Sequence, residues 1–410
     1  MALQVGGELQ LVIDGQAKNL PMSVIANLKF DEQLLALDSA GLPASTVRYY
    51  DDTRAVIKVE KGGEKPSLDD EHRLIVAERP TEGPSLLSCP TSPLRREELD
   101  LIDVPGSSLM IDQLLPATPV ALGETWKWTD QMAANLLCLD AVRWTDVTSA
   151  LGEVKDGLVE IAAAGSVSGA VGGVSTEIEL KAKYRYDLAR QRVVFLALLV
   201  KEKRAVGHIG PGLDTVAKLI MTITPLTSSQ LLTPQRVAAA TTAPAATAAE
   251  LGYRAVSGQF QFHYDRRWFL TSDDAKLTVM RLLDRGELVA QCNISLLPGD
   301  KTAPVSLAEF QRDVQTSLGK NFGQFTGALE TTNETGYRVL RVVARGVVSE
   351  VPIEWIYYLV QDTTGRRVTL SFTYQQELVE RFAQADRSLV RQLRMTDSPA
   401  PTAARAVERK

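Results

Sequence analysis

The chain has 410 residues, 45% of them hydrophobic and 23% charged. This is the composition of folded globular domains, at a length that allows two or three of them. With 45 basic against 50 acidic residues the formal net charge is −5, so there is no electrostatic reason to expect nucleic acid or an anionic membrane as partner. The longest apolar run, residues 193–200, is far short of the roughly 20 residues a membrane helix needs. No transmembrane segment is expected.

The first fifteen residues lack the basic start and apolar stretch of a signal peptide. The chain is therefore expected in the cytoplasm if this start is the native one, and exported or periplasmic if a signal peptide has been removed. The chain is then expected to divide into residues 1–234, a β-rich domain; 235–250, a linker; 251–396, a mixed domain; and 397–410, a disordered tail. The linker reading rests on AAATTAPAATAAE at 238–250, which has no aromatic and no large aliphatic residue and cannot fill a core.

In the first domain, residues 9–13, 24–30 and 55–59 read as strands. Residues 95–102 and 130–142 read as short helices, the latter through Met132, Ala133, Leu136, Leu137 and Leu139. Residues 177–186 give the strongest local signal. Ile178, Leu180, Ala182, Tyr184 and Tyr186 alternate with Glu177, Glu179, Lys181, Lys183 and Arg185. A period of two puts the first set on a buried face and the charges in water, as in an antiparallel sheet wet on one side. Residues 187–192 turn, 193–206 return as a long strand, and 158–163 and 219–224 are further neighbours.

In the second domain Phe260 and Phe262 start a strand. Residues 279–283 and 288–296 flank the turn Asp284-Arg285-Gly286-Glu287 and predict a hairpin. Ser306-Leu307-Ala308-Glu309 is a capping box, followed by Phe310, Val314 and Leu318 on one helical face. Residues 337–348, 353–361 and 368–374 predict three strands, and 377–393 one closing amphipathic helix. The expected class is α+β: an antiparallel, β-rich first domain with short helices, then a layered second domain.

These features carry a resemblance. An aromatic strand pair near Trp268, the hairpin, the SLAEF helix, a three-strand meander and a final helix together resemble the PsbP-like α/β/α sandwich, over about 145 residues. The resemblance implies a binding or assembly module. In the first domain the stretch LLPATPVALGETWKW, 114–128, is similar to one in uncharacterised bacterial envelope proteins with long antiparallel sheets, which implies export. Curved-sheet lipid and lipoprotein carriers are a looser analogy.

Several residues invite a functional reading. The run GSVSGAVGG at 165–173 lacks the Lys and Ser/Thr of a phosphate loop and the central Ser of a nucleophile elbow, and reads as a hairpin between strands. Cys89, Cys138 and Cys292 are far apart and form no CxxC. They read as buried free thiols, with a Cys89–Cys138 disulfide left open if the protein is exported. His72, His208 and His263 lie in no metal-ligand spacing. His72 follows Asp69, Asp70 and Glu71, so an ion site is conceivable, but a solvated acidic loop is the preferred reading. Trp126 and Trp128 read as core anchors rather than a ligand surface, and Arg266 and Arg267 beside Trp268 as a solvated turn rather than an anion grip.

A Ser–His–acid triad requires convergence that a sequence cannot display. No catalytic, cofactor-binding or metal-ligating residue is therefore assigned, and no cofactor is expected. Three functions remain. The first is a non-catalytic binding or assembly module, of the cell envelope, with an unknown protein or apolar small-molecule partner. The second is a lipid carrier, which needs a cavity lined by residues such as Ile178, Leu180, Leu196 and Leu198. The third is a hydrolase, which needs converging Ser, His and acid side chains.

Overall fold

A computed structural model describes residues 1–13, 15–80, 85–242, 250–297 and 304–396. The chain divides into two compact units between Ala249 and Glu250. Antiparallel sheet dominates both, with few and short helices.

The first unit runs β1 (Ala2–Ile13), β2 (Gln16–Leu37), β3 (Pro43–Val59), β4 (Gly62–Glu64), β5 (Leu74–Glu78), β6 (Leu86–Ser88), α1 (Arg96–Ile102), β7 (Thr125–Lys127), α2 (Asp130–Leu137), β8 (Ala141–Thr145), β9 (Thr148–Lys155), β10 (Leu158–Val171), β11 (Val174–Asp187), β12 (Arg192–Arg204), β13 (Gly212–Thr222) and α3 (Pro234–Thr242). The thirteen strands form one sheet in the order β6-β5-β3-β2-β1-β13-β12-β11-β10-β9-β7, with β4 on β3 and β8 on β10. The expected strands are all present and most are longer than their apolar cores suggested.

β11 follows its alternation. Ile178, Leu180, Ala182 and Tyr184 are buried while Glu177, Glu179, Lys181, Lys183 and Arg185 are exposed. Opposed residues share a face, so one rung can be followed across the sheet. Ala163, Ala182, Leu198, Leu219, Leu3, Ala26 and Ala55 stand side by side on the same inward face. Ile111, Leu114, Trp128, Leu136 and Leu137, from the segment between β6 and β8, pack on the β10–β12 part of that face and form one apolar core with Ile178, Leu180, Leu196 and Leu198.

The expected helix at 130–142 stops at Leu137. Cys138 adopts a left-handed conformation (φ 55°), and residues 141–145 leave as β8 to pair with β10. This pairing accounts for the glycine run. A Cβ on Gly165 would lie 2.3 Å from the Asp146 carbonyl oxygen, and one on Gly169 2.5 Å from that of Ala141. Only glycine lets the two backbones approach this closely. Gly172 and Gly173, both at positive φ, make the two-residue turn into β11.

The stretch expected as linker is helical in its first part. Thr233 precedes α3, in which Ala240 is buried and packs with Val47, Leu74, Val76 and Leu232. The contact of Ala240 with the sheet is a tertiary gain that composition alone does not display. Residues 243–249 and the expected tail, 397–410, lie outside the described residues.

The second unit runs β14 (Glu250–Arg254), β15 (Phe260–Asp265), β16 (Trp268–Asp273), β17 (Thr278–Asp284), β18 (Glu287–Leu297), α4 (Leu307–Leu318), β19 (Phe322–Thr332), β20 (Arg338–Val348), β21 (Val351–Gln361), β22 (Arg367–Gln375), α5 (Val379–Phe382), α6 (Asp386–Arg391) and β23 (Arg394–Met395). A seven-stranded sheet is ordered β16-β17-β18-β22-β21-β20-β19, beside a three-stranded sheet β14-β15-β23. The predicted hairpin turns at Arg285 and Gly286, both at positive φ, and the Ser306–Glu309 capping box closes in both directions. α4 packs Phe310, Val314 and Leu318 against Leu340, Val342, Trp355 and Leu359. Tyr358 and Phe372, on the opposite face, meet each other, and Phe372 meets Trp268 and Phe382.

The single closing helix expected at 377–393 is instead α5 and α6, separated by Ala383 and Gln384 at φ 46° and 61°. No glycine or proline marks the break. Tertiary contacts override propensity: Phe382 stacks on Tyr374, and Asp386 is drawn wholly under the sheet toward Arg341 and Tyr358.

Candidate functional site: a Ser92–His72–Glu98 relay

Among the residues singled out in the sequence, His72 changes character most. The acidic residues Asp69, Asp70 and Glu71 are solvated, as expected, but a single 3-10 turn over Asp70–His72 points the imidazole inward, where it is 5% exposed. It meets Glu98 on the first turn of α1 and Ser92 in the loop before it. Nδ1 lies 2.8 Å and 2.9 Å from the two Glu98 carboxylate oxygens, and Nε2 lies 2.9 Å from Ser92 Oγ.

Glu98 is 2% exposed. It also accepts the backbone N–H groups of Asp69 (3.0 Å) and Arg95 (2.9 Å), the second being the capping interaction of α1. Burial works to raise its pKa, but the bonds from His72, Asp69 and Arg95 outweigh it and bring the carboxyl down to about 2. For His72 burial works downward, yet the bond to Glu98 and the charges of Glu98, Glu71 and Asp69 raise its pKa above the ordinary value.

This geometry sets the tautomer. An ionised carboxylate can only accept, so Nδ1 carries a proton; in the neutral imidazole Nε2 is then an acceptor, and Ser92 donates to it. Donor atoms of Asp69, His72 and Glu98 lie within 4.8 Å of one another, a spacing open to a cation. However, Nδ1 and the Glu98 oxygens are committed to each other, and the Arg95 guanidinium already brings positive charge to both carboxylates, at 3.1 Å from Asp69 and 3.2 Å from Glu98. The cluster fits a proton relay better than a metal centre.

The other candidates are placed as follows. Trp128 is buried and donates to Ser149 Oγ, and Trp126 is half-buried and donates to the Leu114 carbonyl. Arg267 pairs with Asp265 in a turn, while Trp268 is wholly buried. His208 is exposed, and His263 is half-buried on β15, its pKa lowered by burial. The three cysteines are free; Cys89 and Cys292 are buried and Cys138 is partly so.

A cavity of about 110 Å³ near Phe30, Arg48, Tyr50, Asp103 and Cys138 has room for a few waters. Its one fully buried cation, Arg48, is answered by Glu32 at 2.8 Å and by Ser107 and Ser108.

A second feature is a surface. The inward face of the first sheet extends beyond its packed part. On the rung next to Leu3, Ala217 still packs against the core, while Val5, Val24 and Ile57 are half-buried; two rungs further, so are Leu9, Leu20 and Leu213. Met22 and Val59 lie between them, also half-buried.

No protein-family model and no curated protein matches the chain. Among solved structures it is similar to a protein of Bacteroides thetaiotaomicron VPI-5482, at 12% identity and TM-score 0.28, over 36% of this chain; it spans about half (48%) of that chain. It is also similar to cyanobacterial PsbP (CyanoP) from Synechocystis sp. PCC 6803, at 16% identity and TM-score 0.29, over 36% of this chain and 93% of that one. A third likeness is to the Saccharomyces cerevisiae Ran-binding protein Mog1p, at 14% identity and TM-score 0.28, over 35% of this chain and 94% of that one. Likenesses this low assign no function.

Proposed function

We propose that the protein is a binding module whose first unit seats an apolar partner on the open end of its inward sheet face. The observation that carries this reading is the change along that face. Ile178, Leu180, Leu196 and Leu198, the residues a lipid cavity would require at the sheet's centre, are instead packed into the core. The apolar pattern nevertheless continues through Val5, Leu9, Leu20, Met22, Val24 and Leu213, where water reaches it. A strand face kept apolar beyond the core it helps to build is the usual mark of a surface that meets something else. The second unit, with helices on both faces of its sheet, is read as a PsbP-like module that contributes a separate binding surface.

A polarity-sensitive fluorescent probe tests the site. Saturable binding to the full chain, displaced by a long-chain fatty acid and abolished by Leu9→Glu in protein that keeps its cooperative thermal transition, is the expected result. Probe binding that is identical in the variant would reject the site.

A further inference from the structure

We propose that Ser92, His72 and Glu98 form a nucleophilic acyl-transfer site that acts on a carboxylic ester. The proposal goes beyond the binding reading and uses different residues. It rests on the order of the three contacts: hydroxyl to Nε2 at 2.9 Å, Nδ1 to carboxylate at 2.8 Å, and carboxylate to two backbone N–H groups at 3.0 Å and 2.9 Å. Nucleophile to base and base to orienting acid are the two distances that define a serine relay on any fold.

The sequence positions are 92, 72 and 98, so a loop, a 3-10 turn and a helix terminus each supply one group. Pro90 and Pro93 flank the serine's loop and restrict its backbone. Ser92 is half-buried, while His72 and Glu98 behind it are shielded.

The step balances as follows. Ser92 Oγ forms a bond to the acyl carbon, and its proton passes to His72 Nε2. Glu98 stays ionised and holds the imidazolium through Nδ1–H. The tetrahedral adduct breaks its bond to the alcohol oxygen, which leaves with the proton from Nε2. Water then attacks the acyl-serine, giving its proton to His72, and the carboxylic acid departs as Ser92 recovers its own.

An ester suits this relay better than an amide. The charges of Glu98, Glu71 and Asp69 around His72 favour the imidazolium and make it a reluctant acid, and an alcohol leaving group asks less of that acid than an amine does. Arg95 is the counterweight, its cation lying against Asp69 and Glu98.

The test is covalent labelling of the full chain with a fluorophosphonate, which modifies only serines made nucleophilic, followed by peptide mass spectrometry. The expected result is one adduct, on Ser92, lost in Ser92→Ala and reduced at least 100-fold in rate in His72→Gln. The labelling rate should rise with pH as His72 gives up its proton. Because His72→Gln disturbs a buried site, Ser92→Cys provides a second reading: alkylation of that thiol should be fast at pH 6 if His72 takes its proton. An unlabelled Ser92 in folded protein, or a Ser92→Cys thiol alkylated with the ordinary pH dependence of a free cysteine, would overturn the proposal.

Discussion

The centre and the open end of the inward face of the first sheet are built from the same residue types, with β13 contributing to both, yet they differ in what lies over them. At the centre, Leu180, Leu198 and Leu219 are covered by the segment that carries Ile111, Leu114, Leu136 and Leu137. At the open end, Leu9, Leu20 and Leu213 remain half-buried. Alternation decides which way a side chain points; only the covering chain decides whether that direction is core or surface.

The largest expected effect tests the filled part. Leu180→Asp places an unpaired carboxylate in a packed core and should cost more than about 4 kcal/mol, so the first unit should lose its cooperative thermal transition. A variant that stays folded would mean that the centre also holds a cavity, and the contrast between the two regions would vanish.

The next effect concerns α1, whose Leu99, Leu101 and Ile102 are buried in the same unit. Glu98→Ala strands a buried imidazole and uncaps the helix, and should cost about 3 kcal/mol. Its pH dependence is specific. The folded-state pKa of Glu98 is lowered, so its contribution is present above the unfolded value near 4.5 and is lost as pH falls toward about 2. That of His72 is raised, so its contribution is complete below about 6.5 and fades as pH climbs through the folded value. The stability gap between wild type and variant, measured by urea titration, should therefore be widest between about pH 4.5 and 6.5. A gap independent of pH would show that the loss is packing alone.

Two smaller effects sharpen the comparison. Leu9→Glu should cost about 1–2 kcal/mol, well short of the loss at Leu180, because its side chain is only half-buried. A large loss would place the open end in the core. Lys181→Asp, one residue from Leu180 but on the wet face, should change the melting temperature least of all; a marked drop would mean that the outer face is covered too.

How much of this was legible in the sequence depends on how local the cause is. The β11 alternation, the Arg285-Gly286 turn and the Ser306–Glu309 box are set by neighbours within a few residues, and each was readable. β19 was not, because its residues are mostly exposed and leave no apolar period. The α5–α6 break was hidden because Ala383 and Gln384 are held left-handed by contacts made at Phe382 and Asp386. The relay was hidden for a third reason. Its residue types occur in any chain of this length, and what distinguishes them is a turn of the chain that takes His72 out of an acidic loop and brings it to partners 20 and 26 positions away. A glutamate in the first turn of α1 was the only local hint.

The position of β1 between β2 and β13 has a consequence for how the protein is made. Residue 3 pairs with residue 219, so the middle of the sheet cannot close until β13, far along the chain from β1, has also left the ribosome. At a synthesis rate of roughly 5–20 residues per second, the β1–β3 ribbon waits about ten seconds or more with one edge unpaired. Closing so long a loop also makes folding slow relative to a helical protein of this size. During that interval the open edge of β1 is the part of the nascent chain most exposed to pairing with a wrong strand, and a chaperone that shields it should raise the yield of folded protein more than one acting on the second unit.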